Sequence, residues 1–231
     1  MPSTDGVSIE LHDLGGSGPT LLLAHATGFC ARAYQPLADL LGRRFHVWAL
    51  DFRAHGDSTV PDSGDLAWSG MIADVHAAVD AIDDGPVYGY GHSMGGACLA
   101  GAELARPGTL RGAVFFEPII VTREVEGYDG PVPLAVSARR RRPSFPSRVE
   151  ALHRYAGRPP LGLFRADVLW SYVEHGLADD PDGGVSLKCL PENEAATFEA
   201  ANKPRVDTMG GVDVPILVGR GVDGGGGGPA A

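Results

Sequence analysis

The chain has 231 residues, of which 44% are apolar and 21% charged, and its formal net charge is −10. That length suits one sizeable α/β domain with an insertion, and the composition is ordinary for a globular protein. The negative charge argues against nucleic acid or an anionic membrane surface as a partner, because both would repel it.

The three cysteines, Cys30, Cys98 and Cys189, are far apart and fit no disulfide framework or zinc-site spacing. The first residues lack the basic and then apolar pattern of a signal peptide, and no apolar run is long enough to span a bilayer. We therefore expect a cytoplasmic protein with no membrane partner. The sequence leaves the oligomeric state open.

Strands alternate with helices in the first half of the chain. A helix is marked by Tyr34 and Leu37, and a stronger one by apolar residues spaced three and four apart from Trp68 to Ile82. A further helix is predicted from about Gly95 to Arg106. This alternation predicts a mostly parallel sheet with helices on both faces. The predicted strands are Val7–His12, Thr20–Ala24, His46–Leu50, Val87–Tyr90 and Gly112–Phe116.

The alternation is lost after residue 123, which divides the chain into three parts. Residues 1–123 are predicted to form the first part of the core, and residues 206–231 to return to it with one strand, Val214–Val218, before a glycine-rich end. The lid segment, residues 124–205, is interpreted as an inserted, mostly helical lid; an irregular surface excursion is the alternative. Its predicted helices are Arg148–Tyr155, Ala166–His175 and Glu192–Ala201.

A serine lies in a G-x-S-x-G pattern, Gly91-His92-Ser93-Met94-Gly95, between a predicted strand and a helix rich in small residues. A strained strand-to-helix turn of this kind lifts a serine hydroxyl above the carboxyl end of the sheet, and its neighbours must lack bulk. Ser93 is therefore the predicted nucleophile, although a surface serine on a glycine-rich turn is the plainer alternative.

Three stretches together resemble the α/β-hydrolase superfamily, in its lid-bearing serine hydrolase and esterase branch. They are residues 21–29, 49–58 and 91–96. The resemblance implies an α/β-hydrolase fold with an inserted helical lid and a site at the carboxyl ends of the strands. It also implies one more strand and a closing helix after Asp223, both of which this sequence lacks.

The first of these stretches matches the loop that supplies an oxyanion-binding N–H in the family. By position, the resemblance assigns that role to the N–H of Thr27, with Phe29 second, and the other N–H to Met94. His25 is predicted to shape this loop rather than act as a base. Three residues of the second stretch are predicted to be structural: Asp51, Arg53 and Ser58.

A serine hydroxyl needs a base to take its proton and a carboxylate to orient that base. The resemblance points to Asp223 as the acid, with Glu117 as the alternative. In this fold the histidine follows the acid in the chain, but no histidine follows Asp223. We interpret the chain as shortened at its C-terminus; of its eight histidines, only His153 and His175 in the lid segment could swing toward Ser93.

The prediction is thus a hydrolase of small esters or related carbonyl compounds that works by acyl transfer, with a small-molecule substrate and with no metal or organic cofactor implied. The missing histidine favours the rival, a catalytically inactive or ligand-binding protein of the same fold. Three aromatic residues of the lid segment are candidate pocket residues, although packing within their own helix is an alternative use: Phe164, Trp170 and Tyr172.

Overall fold

The structure is a computed structural model that describes residues 1–123 and 130–221. Within these residues, six strands form the main sheet in the order β1-β3-β2-β4-β5-β9, and all neighbours are parallel except β1 and β3. The mostly parallel sheet predicted from the alternation is therefore confirmed. Its strands are β1 (Glu10–Gly16), β2 (Thr20–Ala24), β3 (His46–Asp51), β4 (Val87–His92), β5 (Leu110–Phe116) and β9 (Ile216–Gly219).

Helices cover both faces of this sheet, as the sequence predicts. Alternate residues of β2 show the two faces, since Leu22 packs with the buried side of α2 and α3 while Leu23 packs with Ala38 of α1. The helices of the core are α1 (Gln35–Leu41), α2 (Trp68–Ile82) and α3 (Met94–Ala105).

Helix α2 has the bounds that its apolar spacing predicts. Trp68, Met71 and Val75 are fully buried on one face, and the helix ends at Asp83, which adopts a left-handed conformation with φ of 52°. Helix α3 packs closely against the sheet because six of its ten buried residues are glycine or alanine. This close packing brings the start of α3 to the carboxyl ends of the central strands.

The described part of the lid segment contains four helices and a small antiparallel sheet in the order β6-β8-β7. The sheet was not expected, because its strands are only two or three residues long and carry no readable alternation. These elements are α4 (Pro133–Arg139), β6 (Ser144–Phe145), α5 (Arg148–Ala156), α6 (Ala166–His175), β7 (Leu177–Asp179), β8 (Val185–Leu187) and α7 (Pro191–Glu199).

The lid segment packs on the loop that follows β2. One buried cluster contains Cys30 and Ala33 from that loop together with Tyr172 and Val173 of α6 and Leu187 of β8. The lid segment therefore lies over the region from which the sequence predicts an oxyanion donor.

Strand β9 lies at the end of the main sheet among the described residues and pairs with β5 alone. Its Leu217 and Val218 are 65% and 62% exposed, so side chains on both faces of this strand contact solvent. None of the helices in the described ranges combines the length and the apolar character that crossing a bilayer requires.

Candidate active site

Ser93 lies at the turn between β4 and α3, with φ of 54° and ψ of −116°. A non-glycine residue with positive φ is strained, and it persists only where its surroundings hold it. Here the main chain holds it, since the Ser93 N–H donates to the Phe116 carbonyl at 2.9 Å and the Ile119 N–H donates to the Ser93 carbonyl at 3.2 Å. The predicted elbow is therefore present.

The two glycines of the elbow leave no room for a side chain. A Cβ on Gly91 would lie 2.4 Å from Cα of Gly96, and a Cβ on Gly95 would lie 2.1 Å from the carbonyl oxygen of Ala24. Both contacts are with backbone, which cannot rotate away. The turn is thus pressed against its own helix and against the end of β2.

The N–H groups of Thr27 and Met94 are available as donors. Met94 begins α3, so its N–H has no acceptor within the helix. In the ranges 1–123 and 130–221, neither N–H donates to a protein acceptor, whereas the Phe29 N–H donates to the Ala26 carbonyl at 3.1 Å. Thr27 and Met94 also touch, because the Thr27 hydroxyl lies 3.4 Å from Sδ of Met94. This geometry favours Thr27 over Phe29.

Of the two acid candidates, Glu117 is described and Asp223 lies outside the described residues. Glu117 follows β5 directly, and its φ of 49° lies in the same strained region as that of Ser93. Its N–H donates to the Gly219 carbonyl and its carboxylate accepts from the Gly221 N–H, both at 2.9 Å. Glu117 is thus one residue beyond Phe116, whose carbonyl holds Ser93.

The buried imidazole of His25 has both nitrogens in use. Nδ1 lies 2.8 Å from the Ala26 carbonyl and Nε2 accepts from the Phe52 N–H at 3.1 Å. Burial also lowers the pKa of His25. His25 therefore joins the loop after β2 to the end of β3, which is the loop-shaping role expected of it.

The predicted structural residues of the next turn form a network beside this loop. Asp51 accepts from the Ala31 N–H at 2.7 Å and from the Asp57 N–H at 3.0 Å, and the Ser58 hydroxyl donates to the Asp51 carbonyl. Arg53 makes a buried ion pair of 2.7 Å with Asp74.

A base for Ser93 is not assembled by the described residues. The lid histidine His153 is exposed, and the nearest carboxylate to His175 is that of Glu174 at 3.9 Å. His92 directs Nδ1 to the hydroxyl of Tyr34 at 2.7 Å. Among the residues described, no histidine hydrogen bonds to Ser93 Oγ.

Aromatic side chains of the lid segment meet Phe29 above the loop after β2. The ring centroids of Phe164 and Tyr172 lie 6.0 Å and 5.0 Å from that of Phe29. Trp170 differs from them, since it is 41% exposed and, within the described residues, its ring makes no contact with that of Phe29. The structure thus brings two of the three predicted pocket aromatics to the loop.

A charged cluster, which the sequence reasoning missed, joins the lid segment to the same loop. Arg141 makes an ion pair with Glu194 and donates to the Tyr172 hydroxyl, which in turn lies 3.4 Å from the Gly28 carbonyl. A Cβ on Gly28 would be 2.5 Å from Oε1 of Glu194, so this carboxylate packs directly on the loop. The four consecutive arginines from Arg139 to Arg142 were the only sign of this cluster in the sequence, and they do not indicate which arginine is buried.

In the described parts of the chain, His12, Asp51 and Asp57 form one group with metal-ligand spacing. Protein partners already use these atoms, because His12 Nε2 lies 2.9 Å from Asp51 and Asp57 pairs with Lys188 at 2.7 Å. We interpret the group as a network of polar contacts that braces the turn after β3.

Comparisons with known proteins agree with this architecture. A succinate hydrolase from Acinetobacter baylyi, (E)-2-((N-methylformamido)methylene)succinate hydrolase, is 35% identical over 96 residues, covering 40% of this chain and 35% of that protein. A probable protein phosphatase methylesterase 1 from Caenorhabditis elegans is 32% identical over 157 residues, covering 64% of this chain and 42% of its own length. The chain therefore spans less than half of these two relatives.

The crystal structure of E-2-(acetamidomethylene)succinate hydrolase has the same fold. It aligns with a TM-score of 0.73 at 20% identity, over 93% of this chain and 87% of the other. The family model described as alpha/beta hydrolase family matches residues 21–221, which include the elbow, the loop after β2 and strand β9. With this match, the chain belongs to the alpha/beta hydrolase family.

Proposed function

We propose that the chain is a serine hydrolase that cleaves a small ester or related carbonyl compound by acyl transfer through Ser93. The observation that carries the proposal is the elbow, where a strained serine lies beside two free N–H groups, those of Thr27 and Met94. A nucleophile next to preorganised donors is the arrangement that acyl transfer requires.

In the proposed reaction, Ser93 Oγ attacks the substrate carbonyl carbon and its proton passes to a base. The carbonyl oxygen becomes an oxyanion held by the N–H groups of Thr27 and Met94. The carbon–oxygen bond to the leaving group then breaks, the leaving group takes the proton, and water hydrolyses the acyl-enzyme. Each such donor contributes roughly 3 kcal/mol of transition-state stabilisation.

Either Asp223 or Glu117 would orient the base. Glu117 has support from its place beside the elbow, and Asp223 from its place after β9, the strand that the family's acid follows. Among the described residues no histidine hydrogen bonds to Ser93 Oγ, so we assign the role of base to none of them. Loss of a base lowers the rate of a serine hydrolase by several orders of magnitude.

The named activities of the relatives support hydrolysis at a carbonyl group, since one is a succinate hydrolase and the other a methylesterase. Phe29, Phe164 and Tyr172 would provide an apolar wall for a small-molecule substrate. Cys30, Cys98 and Cys189 are buried free thiols, which fits the reducing cytoplasm that we propose as the location.

A fluorophosphonate probe, which reacts with activated serines, tests the proposal. We expect labelling of the wild-type chain that disappears in Ser93→Ala, together with hydrolysis of short-chain esters by the wild type alone. Absence of labelling in correctly folded protein would contradict the proposal.

That negative result would favour the second candidate, a ligand-binding protein with the same fold and no working triad. The observation behind it is that no described histidine hydrogen bonds to Ser93 Oγ. Binding of small carboxylic esters or acids without turnover, measured by calorimetry on Ser93→Ala and wild type alike, would then identify it.

A further inference from the structure

The hydroxyl of Tyr34 joins two segments that are distant in the chain. It accepts a hydrogen bond of 3.1 Å from the Ala26 N–H and lies 2.7 Å from Nδ1 of His92, which is 58 residues away. Tyr34 ends the short 3₁₀ helix Ala31–Tyr34 that follows the loop after β2. One oxygen atom thus contacts both the loop after β2 and the elbow.

The direction of the second hydrogen bond follows from the hydroxyl's single proton. Because Oη already accepts from Ala26, its own proton has Nδ1 of His92 as its acceptor among the described residues. Burial raises the pKa of Tyr34, so the phenol keeps this proton, and burial lowers the pKa of His92, so the imidazole is neutral. The network therefore assigns His92 as the tautomer with hydrogen on Nε2.

Aromatic rings hold the imidazole of His92 in this orientation. Its centroid lies 6.1 Å from that of Tyr34, 6.3 Å from Phe29 and 5.5 Å from Phe116. The last two rings come from the loop after β2 and from the end of β5, so the imidazole is packed between the elements that surround Ser93.

The two residues that Tyr34 joins lie next to the two free N–H groups. Ala26 directly precedes Thr27, and His92 lies two residues before Met94. The separation of the two donors therefore depends on how these segments are held together. Donors to a developing oxyanion must be placed to within about 0.5 Å, because their contribution falls steeply with misplacement.

We propose that Tyr34 is a positioning residue that, through its hydrogen bonds with Ala26 and His92, fixes the separation of the Thr27 and Met94 N–H groups. Its catalytic consequence rests on the proposed function. The structural half, a Tyr34 hydroxyl that donates to His92 Nδ1, does not depend on that function.

The direct test is Tyr34→Phe, which removes one oxygen atom and keeps the ring. We expect the rate of fluorophosphonate labelling and kcat for a short-chain ester to fall roughly tenfold, with KM little changed, because a misplaced donor weakens the transition state more than the ground state. The matched control is Tyr88→Phe on β4, whose ring packs on Phe45 at 5.5 Å and whose hydroxyl has no hydrogen bond within the described residues. It should label at the wild-type rate.

A second pair of variants tests the same bond from the other side. His92→Asn keeps an acceptor for the Tyr34 hydroxyl, whereas His92→Leu removes it. We expect the asparagine variant to label several times faster than the leucine variant. Equal rates in this pair, or a wild-type rate in Tyr34→Phe, would overturn the positioning role while leaving the proposed function intact.

Nitrogen-15 NMR of the imidazoles decides the structural half even without activity. In the wild type we expect His92 to carry hydrogen on Nε2, and in Tyr34→Phe to lose that preference. A proton on Nδ1 in the wild type overturns the inference. If the wild type does not react with the probe at all, the proposed function fails, and the tautomer of His92 alone supports or overturns the bond.

Discussion

Gly95 and Ala24 are packed so closely that a Cβ on Gly95 would lie 2.1 Å from the Ala24 carbonyl oxygen. This contact presses the first turn of α3 against the end of β2. Ala24 ends β2 and precedes the loop that contains Thr27, and Gly95 lies in the first turn of α3, two residues after Ser93. The packing of Gly95 on the Ala24 carbonyl therefore fixes how close the start of α3 lies to the loop after β2.

We expect Gly95→Ala to destabilise the protein by about 3 kcal/mol, because the added methyl group meets backbone that can move only with the whole strand. The measurement is the free energy of unfolding from urea denaturation. Gly210→Ala is the matched control, since a Cβ there has nothing within 4 Å. A loss in Gly95→Ala no larger than in the control would contradict the packing.

The ion pair of Arg141 with Glu194 should matter far more than that of Arg139 with Glu192. The Arg141 and Glu194 side chains are 20% and 10% exposed, so Arg141→Met leaves a carboxylate with little water around it. We expect a loss of about 3 kcal/mol in the free energy of unfolding. Arg139→Met, at an exposed pair, should change the free energy of unfolding far less than Arg141→Met.

A double variant separates the charge from the packing. Burial raises the pKa of Glu194, because the charged form of its carboxyl group is disfavoured away from water. Arg141→Met combined with Glu194→Gln should recover a good part of the stability lost in Arg141→Met. If the double variant is as unstable as the single one, the loss comes from the packing on Tyr172 and Gly28 and not from an unpaired charge.

Added imidazole should accelerate the reaction of Ser93 with the fluorophosphonate probe. Since no described histidine hydrogen bonds to Ser93 Oγ, a small base from solution can take the serine proton. We expect the labelling rate to rise roughly tenfold, in proportion to the neutral form of imidazole. Ser93→Ala should stay unlabelled. Rapid wild-type labelling that imidazole does not change would mean that a histidine of this chain already acts as the base.

Stability should fall as the pH drops below neutrality, because of His55. Burial lowers the pKa of His55 to about 3, against about 6.5 in an unfolded chain. Between these values the unfolded chain binds a proton that the folded protein does not. The contribution of His55 to stability is therefore complete above about pH 6.5 and is lost toward pH 3, at about 1.4 kcal/mol per pH unit.

Burial also lowers the pKa values of His25 and His92, so both residues add to the wild-type slope of the unfolding free energy against pH. His55→Gln should reduce the slope of the unfolding free energy against pH by close to one proton. An equal slope in His55→Gln and wild type would contradict the assignment.

Elements with strong local signals were predicted well. Helix α2 has the predicted bounds because its apolar residues recur on one face and a left-handed Asp83 ends it. The first strand was predicted at Val7–His12 but forms at Glu10–Gly16, although Val7 and Ile9 are buried. Apolar residues that are buried can therefore lie just before a strand as well as in it, and the sequence does not distinguish the two cases.

The features that finish the site could not be read from the sequence, because they join residues far apart. Arg141 and Glu194 are 53 residues apart, and Tyr34 and His92 are 58. Tyr34 contributes to a helical pattern, so its apolar ring was visible in the sequence while the partners of its hydroxyl were not. Such pairs depend on how distant segments of the chain pack in the folded protein, which no local spacing encodes.

The way the elbow is held has a consequence for redesign. The conformation at position 93 is imposed by main-chain bonds to Phe116 and Ile119 and by the two neighbouring glycines, none of which involves the serine side chain. The backbone conformation at this position therefore does not depend on the serine side chain. Cysteine or aspartate at this position would inherit the same placement, so a different attacking atom could be installed without rebuilding the scaffold.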